Sequence, residues 1–138
     1  MVLSQGTLEF CTSPKSFLDI TKEVQNFVSE SNIQDGVCNL FIKHTSASLV
    51  IQENYDPSVR KDFETIFSKL APEDFPYVHN MEGKDDMPAH IRSALTSTSE
   101  TIPIVNGKLS LGTWQGIYIW EHRDQTHNRK VMVSMVGE

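Results

Sequence analysis

With 138 residues, a hydrophobic fraction of 38% and a mean hydropathy of -0.31, the chain is sized for one domain that can bury its own core without a disulfide or metal staple. A formal charge of -6 and a pI near 5.3 exclude the basic footprint that phosphate-backbone binding requires, so no nucleic-acid partner is expected. No apolar run has the length of a membrane span. Residues 1–6 lack a basic stretch followed by an apolar core, so neither a membrane partner nor a secretory signal is expected.

Taken in chain order, residues 6–12 (GTLEFCT) alternate well enough for a strand. Residues 21–30 place Val24, Phe27 and Val28 on one helical face, with Thr21 as the expected N-cap. Asp35-Gly36 reads as a turn before a buried strand over 37–44, which puts His44 at a strand end. Residues 48–52 (SLVIQ) form another short strand. Asp56 as N-cap and Pro57 in the first helical position then open a helix running to about Leu70 and stopped by Pro72. Its stripe of Val59, Phe63, Ile66, Phe67 and Leu70 is expected to be core.

Residues 71–84 form a loop containing His79. Asp85 or Asp86 caps a third helix with Pro88 in its first turn and with Ile91, Ala94 and Leu95 as its expected buried face, His90 lying beside it. Residues 101–105 and 108–111 flank Asn106-Gly107, the strongest short hairpin signal. Strands over 116–121 and 130–136, joined by a polar loop, complete an α+β pattern: a single domain over 1–138, an antiparallel β-sandwich with about three helices.

Cys11 and Cys38 make no CxxC pair and read as reduced thiols of a cytoplasmic protein, Cys38 as core. The chemistry-bearing types gather in four motifs. His44-Thr45-Ser46 joins an imidazole to hydroxyls that can fix its tautomer or bind phosphate oxygens. Glu53-Asn54 offers a base and an orienting amide, or simply a turn before Asp56. Asp85-Asp86 with His90 about one helical turn on could hold a divalent cation, or cap the helix and meet its dipole. Gly112-Thr113-Trp114-Gln115-Gly116 could stack and read a heteroaromatic ring, or form a tight turn with a packed Trp. Arg123, Arg129 and Lys130 form a local basic group able to meet a small phosphate ester.

The strings HTSASLVIQEN, DDMPAHI, GKLSLGTWQGIYIWEHR and RKVMVSMVGE resemble the YjbQ family of small proteins, over about residues 6–138. The resemblance implies an α+β sandwich assembled as a homotrimer, a site near subunit contacts, and a secondary thiamine-phosphate synthase activity. That reaction joins hydroxymethylpyrimidine diphosphate to thiazole phosphate and releases diphosphate. His44, His79 and His90 match the family's histidine positions, and Glu53, Asn54, Asp85, Gly112, Thr113, Trp114, Gln115, Glu121 and Arg129 its other motif positions. His122 and His127 are left outside the expected site.

On that basis His44, His79, His90 and Glu53 are the expected catalytic groups. Thr45, Ser46, Asn54, Trp114, Gln115 and Arg129 are the expected substrate contacts. His44, His79 and His90, with Asp85, are the expected ligands of a divalent metal acting on a small phosphorylated metabolite. Imidazoles favour zinc or a similar ion, whereas diphosphate departure suits magnesium and its oxygen ligands. That tension admits a rival reading, a metal-dependent hydrolase of a small phosphate ester or lactone. A third is a non-enzymatic trimer that binds a metal or metabolite.

Overall fold

The strand segments resolve into two antiparallel sheets in a computed structural model that describes residues 1–138. In chain order the elements are β1 (Val2–Cys11), β2 (Phe17–Asp19), α1 (Thr21–Ser31), β3 (Gly36–Ile42), β4 (Ala47–Glu53), α2 (Pro57–Leu70), α3 (Asp86–Leu95), β5 (Ser99–Val105), β6 (Lys108–Leu109), β7 (Gln115–Glu121) and β8 (Asn128–Gly137). The larger sheet has the order β1-β8-β3-β5-β6 and the smaller β2-β7-β4. This is the expected α+β sandwich with three helices.

Strand alternation supplies the core. Cys38, Leu40 and Ile42 of β3, Val131, Val133 and Met135 of β8, and Ile102 and Ile104 of β5 turn to one face of the larger sheet. They meet Leu49, Ile117 and Ile119 of the smaller sheet and Val24 and Val28 of α1. Each fully buried aliphatic side chain contributes about 1.5–3 kcal/mol by leaving water. Burial pushes the Cys38 thiol up to about 11, so it is an inert core group, while Cys11 is exposed. The Asn106-Gly107 hairpin forms as expected: both residues have positive φ (52° and 77°) and Val105 pairs with Lys108.

Several local expectations are corrected. Strand β1 begins at Val2 rather than Gly6, because its pairing with β8 runs to Gly137 and extends it past its own alternation. The short strand β2, too brief to carry a period, exists through its pairing with β7. Thr21 is the first residue of α1 rather than its cap. Asp19 Oδ1 accepts from both the Thr21 N–H and its hydroxyl, and Thr21 Oγ1 accepts from the Ile117 N–H, stitching α1 to β7.

The two remaining helix faces also differ. No residue of α2 is fully buried. The helix lies on the outer side of the smaller sheet, where Phe63 and Phe67 pack on the Trp120 ring (6.4 and 4.8 Å between centroids) while Ile66 and Leu70 stay exposed. In α3 the buried face is Asp86, Pro88, Ala89, Arg92 and Ser93, while Ala94 and Leu95 are exposed and Ile91 is half-buried. The helix turns a polar face inward because partners wait there. Arg92 pairs with Glu64 of α2 at 2.7 Å and Ser93 Oγ donates to the Ala47 carbonyl.

Candidate metal centre

The spacing of Asp86 and His90 places both on one face of α3, one turn apart. The loop before the helix brings His79 to the same point. His79 Nε2 lies 2.7 Å and His90 Nε2 3.3 Å from Asp86 Oδ2, and one ligand atom from each residue falls within 4.8 Å of the others. Asp86 is buried, His90 half-buried and His79 exposed, so the group opens to solvent on the His79 side. Glu82 stands 3.4 Å from His79 Nε2 at the rim.

Hydrogen bonding fixes how this group can behave. The Thr45 carbonyl can only accept, so His90 Nδ1, at 2.9 Å from it, carries a proton and donates. A neutral His90 ring therefore turns the bare lone pair of Nε2 toward a carboxylate oxygen. That arrangement is repulsive unless a proton or a cation lies between them. An imidazole held by a backbone carbonyl through one nitrogen, with the other facing a carboxylate, is the usual dress of a metal ligand. Burial works to raise the Asp86 pKa, but the His79 hydrogen bond, the His90 charge when that ring is protonated, and the Arg123 charge outweigh it and hold the carboxyl below its ordinary range. The donor set, two imidazoles and one carboxylate, fits zinc, iron or a similar transition ion rather than an all-oxygen magnesium site.

Two hollows flank the group. One of about 350 Å³ is lined by His79 with Phe75, Tyr77, Asn80, Lys84 and Met87. The other, about 250 Å³, is lined by His44, Thr45, His90, Ser93, Ala94 and Thr98. His44 is thus a neighbour of His90 across a hollow and stands outside the converging ligand group. Its Nε2 accepts from the Lys130 N–H at 2.8 Å, which leaves Nδ1 as the protonated nitrogen. Partial burial and then the Arg129 charge lower its pKa and favour the neutral ring.

The other expected residues divide. Asp85 does not join the ligand group. Its Oδ2 accepts from Arg123 Nε (2.8 Å) and the Asp124 N–H (2.9 Å). Burial opposes that ionisation, yet the Arg123 and Asp124 bonds win and bring the carboxyl down to about 2.

Arg129 is not open to a phosphate. It is buried, donating to Glu121 through Nε (2.7 Å) and a terminal nitrogen, and to the Ser46 carbonyl and hydroxyl. Ser46 is consequently a buried partner of Arg129, while Thr45 is exposed and contributes its carbonyl to His90. Of the basic group named from the sequence, Arg123 is paired with carboxylates and Lys130 Nζ lies 3.6 Å from Glu9.

Glu53, Asn54, Trp114 and Gln115 collect at the opposite end of the smaller sheet, because Glu53 pairs with Gln115 while Ala47 pairs with Glu121. Six residue steps of strand separate the two ends by about 20 Å. Within one chain these residues do not reach the histidines. Glu53 Oε2 accepts from the Asp56 N–H, and Gln115 Oε1 closes its own turn by accepting from the Gly112 N–H at 2.7 Å. Trp114 is 57% exposed and meets Tyr55 edge-on at 5.1 Å, leaving a ring face open.

Two further residues belong to the frame of the site: His122, left outside the expected site, and Arg123, expected only as part of a basic group for phosphate. His122 is fully buried, its Nε2 2.8 Å from Ser48 Oγ and its ring against Trp120. Burial and the Arg92 and Arg129 charges drive its pKa down to about 3, so it is a neutral core histidine. Arg123 ties the end of β7 to Asp85 and Asp86. Its place in the run Glu121-His122-Arg123 after a strand is visible in the sequence, but its carboxylate partners lie 37 and 38 positions away.

The fold and the cluster define a class: a small antiparallel α+β sandwich that presents two histidines and a carboxylate at the start of one helix. The chain belongs to the family described as UPF0047 protein YjbQ-like, whose pattern matches residues 6–138. A UPF0047 protein of Synechocystis is 53% identical over 135 residues, covering 97% of this chain and 92% of the relative. UPF0047 protein YjbQ of Salmonella typhimurium is 42% identical over 135 residues, with 97% and 98% covered. The crystal structure of an uncharacterized conserved protein of the family from Clostridium acetobutylicum superposes with a TM-score of 0.87 at 41% identity, covering 94% of this chain and 98% of that one.

Proposed function

We propose that the chain is a metal-dependent hydrolase of a small phosphate ester, with His79, Asp86 and His90 as the ligands of one divalent transition ion. The convergence of these three ligand atoms, with His90 Nδ1 committed to the Thr45 carbonyl, carries the reading. A cation held there would polarise a phosphoryl oxygen and lower the pKa of a water molecule. Lys84 lines the hollow beside His79 and gives the phosphate a positive neighbour. Across the other hollow, His44 offers its Nδ1–H as a neutral donor. In the net reaction the oxygen of water bonds to phosphorus, the phosphorus–oxygen bond of the ester breaks, and the alcohol leaves with a proton from that water.

The test is the purified chain with zinc, manganese, iron(II) or no metal, assayed on a panel of phosphate monoesters and lactones. Metal-dependent turnover lost in His90→Ala is expected. No turnover of any substrate with any metal, alongside tight metal binding, would leave a binding protein instead.

A second reading is the thiamine-phosphate synthase activity implied by the family resemblance. The open face of Trp114 beside Tyr55 supports it, as a seat for a flat aminopyrimidine. Because that seat lies about 20 Å along the strand from the histidines, it requires copies of the chain to complete one another. A cytoplasmic homotrimer is accordingly proposed, with neither membrane nor nucleic acid as partner. The apolar side chains Leu3, Val37, Phe41 and Val105, exposed along the larger sheet, support such an assembly. Both thiamine precursors supplied together should then yield thiamine phosphate, and the yield should fall in Trp114→Ala. Equal rates for parent and variant would sink this reading.

A further inference from the structure

We propose that Arg123 is the positioning residue of the metal group: it fixes which Asp86 oxygen faces the histidines and holds the His79 loop against α3. The inference rests on the metal reading and adds a residue that touches neither ion nor substrate.

The guanidinium divides its donors among three acceptors. Nε donates to Asp85 Oδ2 at 2.8 Å, one terminal nitrogen to Asp86 Oδ1 at 2.9 Å, and the other to the Glu82 carbonyl at 2.9 Å. A carboxylate has two equivalent oxygens and one soft torsion. Engaging Oδ1 leaves Oδ2 as the atom that both imidazoles approach. The Glu82 carbonyl lies three residues after His79, so pinning it sets where the histidine loop meets the helix.

Arg123 is itself held from behind. Its N–H donates to Glu121 Oε2 at 3.1 Å and its carbonyl accepts from the Lys15 N–H at 2.8 Å. Glu121 is fixed in turn by Arg129, which also binds Ser46. The buried chain Ser46–Arg129–Glu121 thereby supports the ligand group through Arg123. The fork meets these acceptors from three separate nitrogens spread across a plane, whereas the three donors of a lysine radiate from a single nitrogen that cannot stand at all three places at once.

Cobalt(II) titration followed by visible absorption reads the site without any assumption about substrate. His79→Ala and His90→Ala should abolish the cobalt spectrum. Arg123→Gln should weaken cobalt binding by about 10–100-fold, as loss of an outer-shell partner does, and should alter the band shape. Arg123→Lys should recover part of the affinity but not the parent spectrum. Asp85→Asn, which loosens Arg123 while leaving every ligand intact, should move the affinity the same way by a smaller factor. Thermal midpoints of the metal-free variants separate positioning from folding. Unchanged affinity and spectrum in Arg123→Gln and Asp85→Asn, with the histidine variants still silent, would overturn the inference and leave the metal reading standing. A parent chain that binds no cobalt would overturn both.

Discussion

Replacing Arg129 by methionine asks whether this residue is a phosphate contact or a structural cation. Glu121 has no exposed surface, and Arg129 engages both of its carboxylate oxygens. After the substitution Glu121 keeps the hydrogen bonds from the Thr12 hydroxyl at 2.6 Å and the Arg123 N–H at 3.1 Å, with His127 Nδ1 at 3.8 Å, and the Ser46 hydroxyl loses its partner. Breaking a buried pair by removing one member costs about 3–5 kcal/mol, because the remaining charge stays desolvated. At this chain length each kcal/mol shifts the thermal midpoint by about 3–6 °C, so a fall of roughly 10–30 °C is expected.

Urea unfolding at fixed protein concentration gives the free energy directly. Adding Glu121→Gln to Arg129→Met should recover part of the loss, since the orphaned charge is gone. Acid dependence provides a second readout. Burial raises the Glu121 pKa, but the Arg129 and Thr12 hydrogen bonds outweigh it and set the folded value below the ordinary 4.5. The pair's stabilisation is therefore complete above pH 4.5 and is lost as pH falls through the folded value. In Arg129→Met the sign reverses, and acidification relieves the unpaired carboxylate. A loss below about 1 kcal/mol with that acid dependence unchanged would refute the structural assignment.

Three further outcomes follow from the packing. His122 has its pKa lowered to about 3, so below the ordinary 6.5 the unfolded chain binds a proton that the folded chain refuses. Between those values His122 makes stability rise with pH by up to about 1.4 kcal/mol per unit, and His122→Gln should remove that part of the slope in urea titrations across pH 4–7. Phe67→Ala should cost about 1.5–2.5 kcal/mol, half the figure for a fully buried ring, because Phe67 is half-buried against Trp120; a neutral result by thermal melting would mean α2 is not anchored there. Gly107→Ala places a Cβ at φ 77° and should cost about 1–2 kcal/mol by the same measurement, with Asn106→Gly tolerated as its contrast.

Elements with a strong local signature are legible in the order of residues. Asn106-Gly107 dictates its turn through positive φ, Asp56-Pro57 starts α2 with the Asp56 carboxylate accepting from the Ser58 N–H, and strand alternation marks the core positions of β3 and β8. What misleads is any question whose answer lies on another element. The stripe on α2 has the period of a core face, yet period says nothing about whether a helix covers the inside or the outside of a sheet. The inward face of α3 is polar because Glu64, Ala47 and Arg123 wait to pair with it, and none of the three is near it in sequence.

The same division holds at the site. Sequence alone determined the family and the α+β sandwich, and it singled out His44, His79 and His90 together, because those rest on residue types in order along the chain; the structure sets His44 apart from the other two. Tertiary structure decided which carboxylate the histidines share, Asp86 rather than Asp85, since adjacent positions on a helix point about 100° apart and only packing shows which one meets His79. It also removed Arg129 and Ser46 from the surface and set Trp114 and Gln115 at the far end of the strand. Antiparallel pairing fixes those positions, and pairing partners are chosen by burial across the whole chain rather than by any local run of residues.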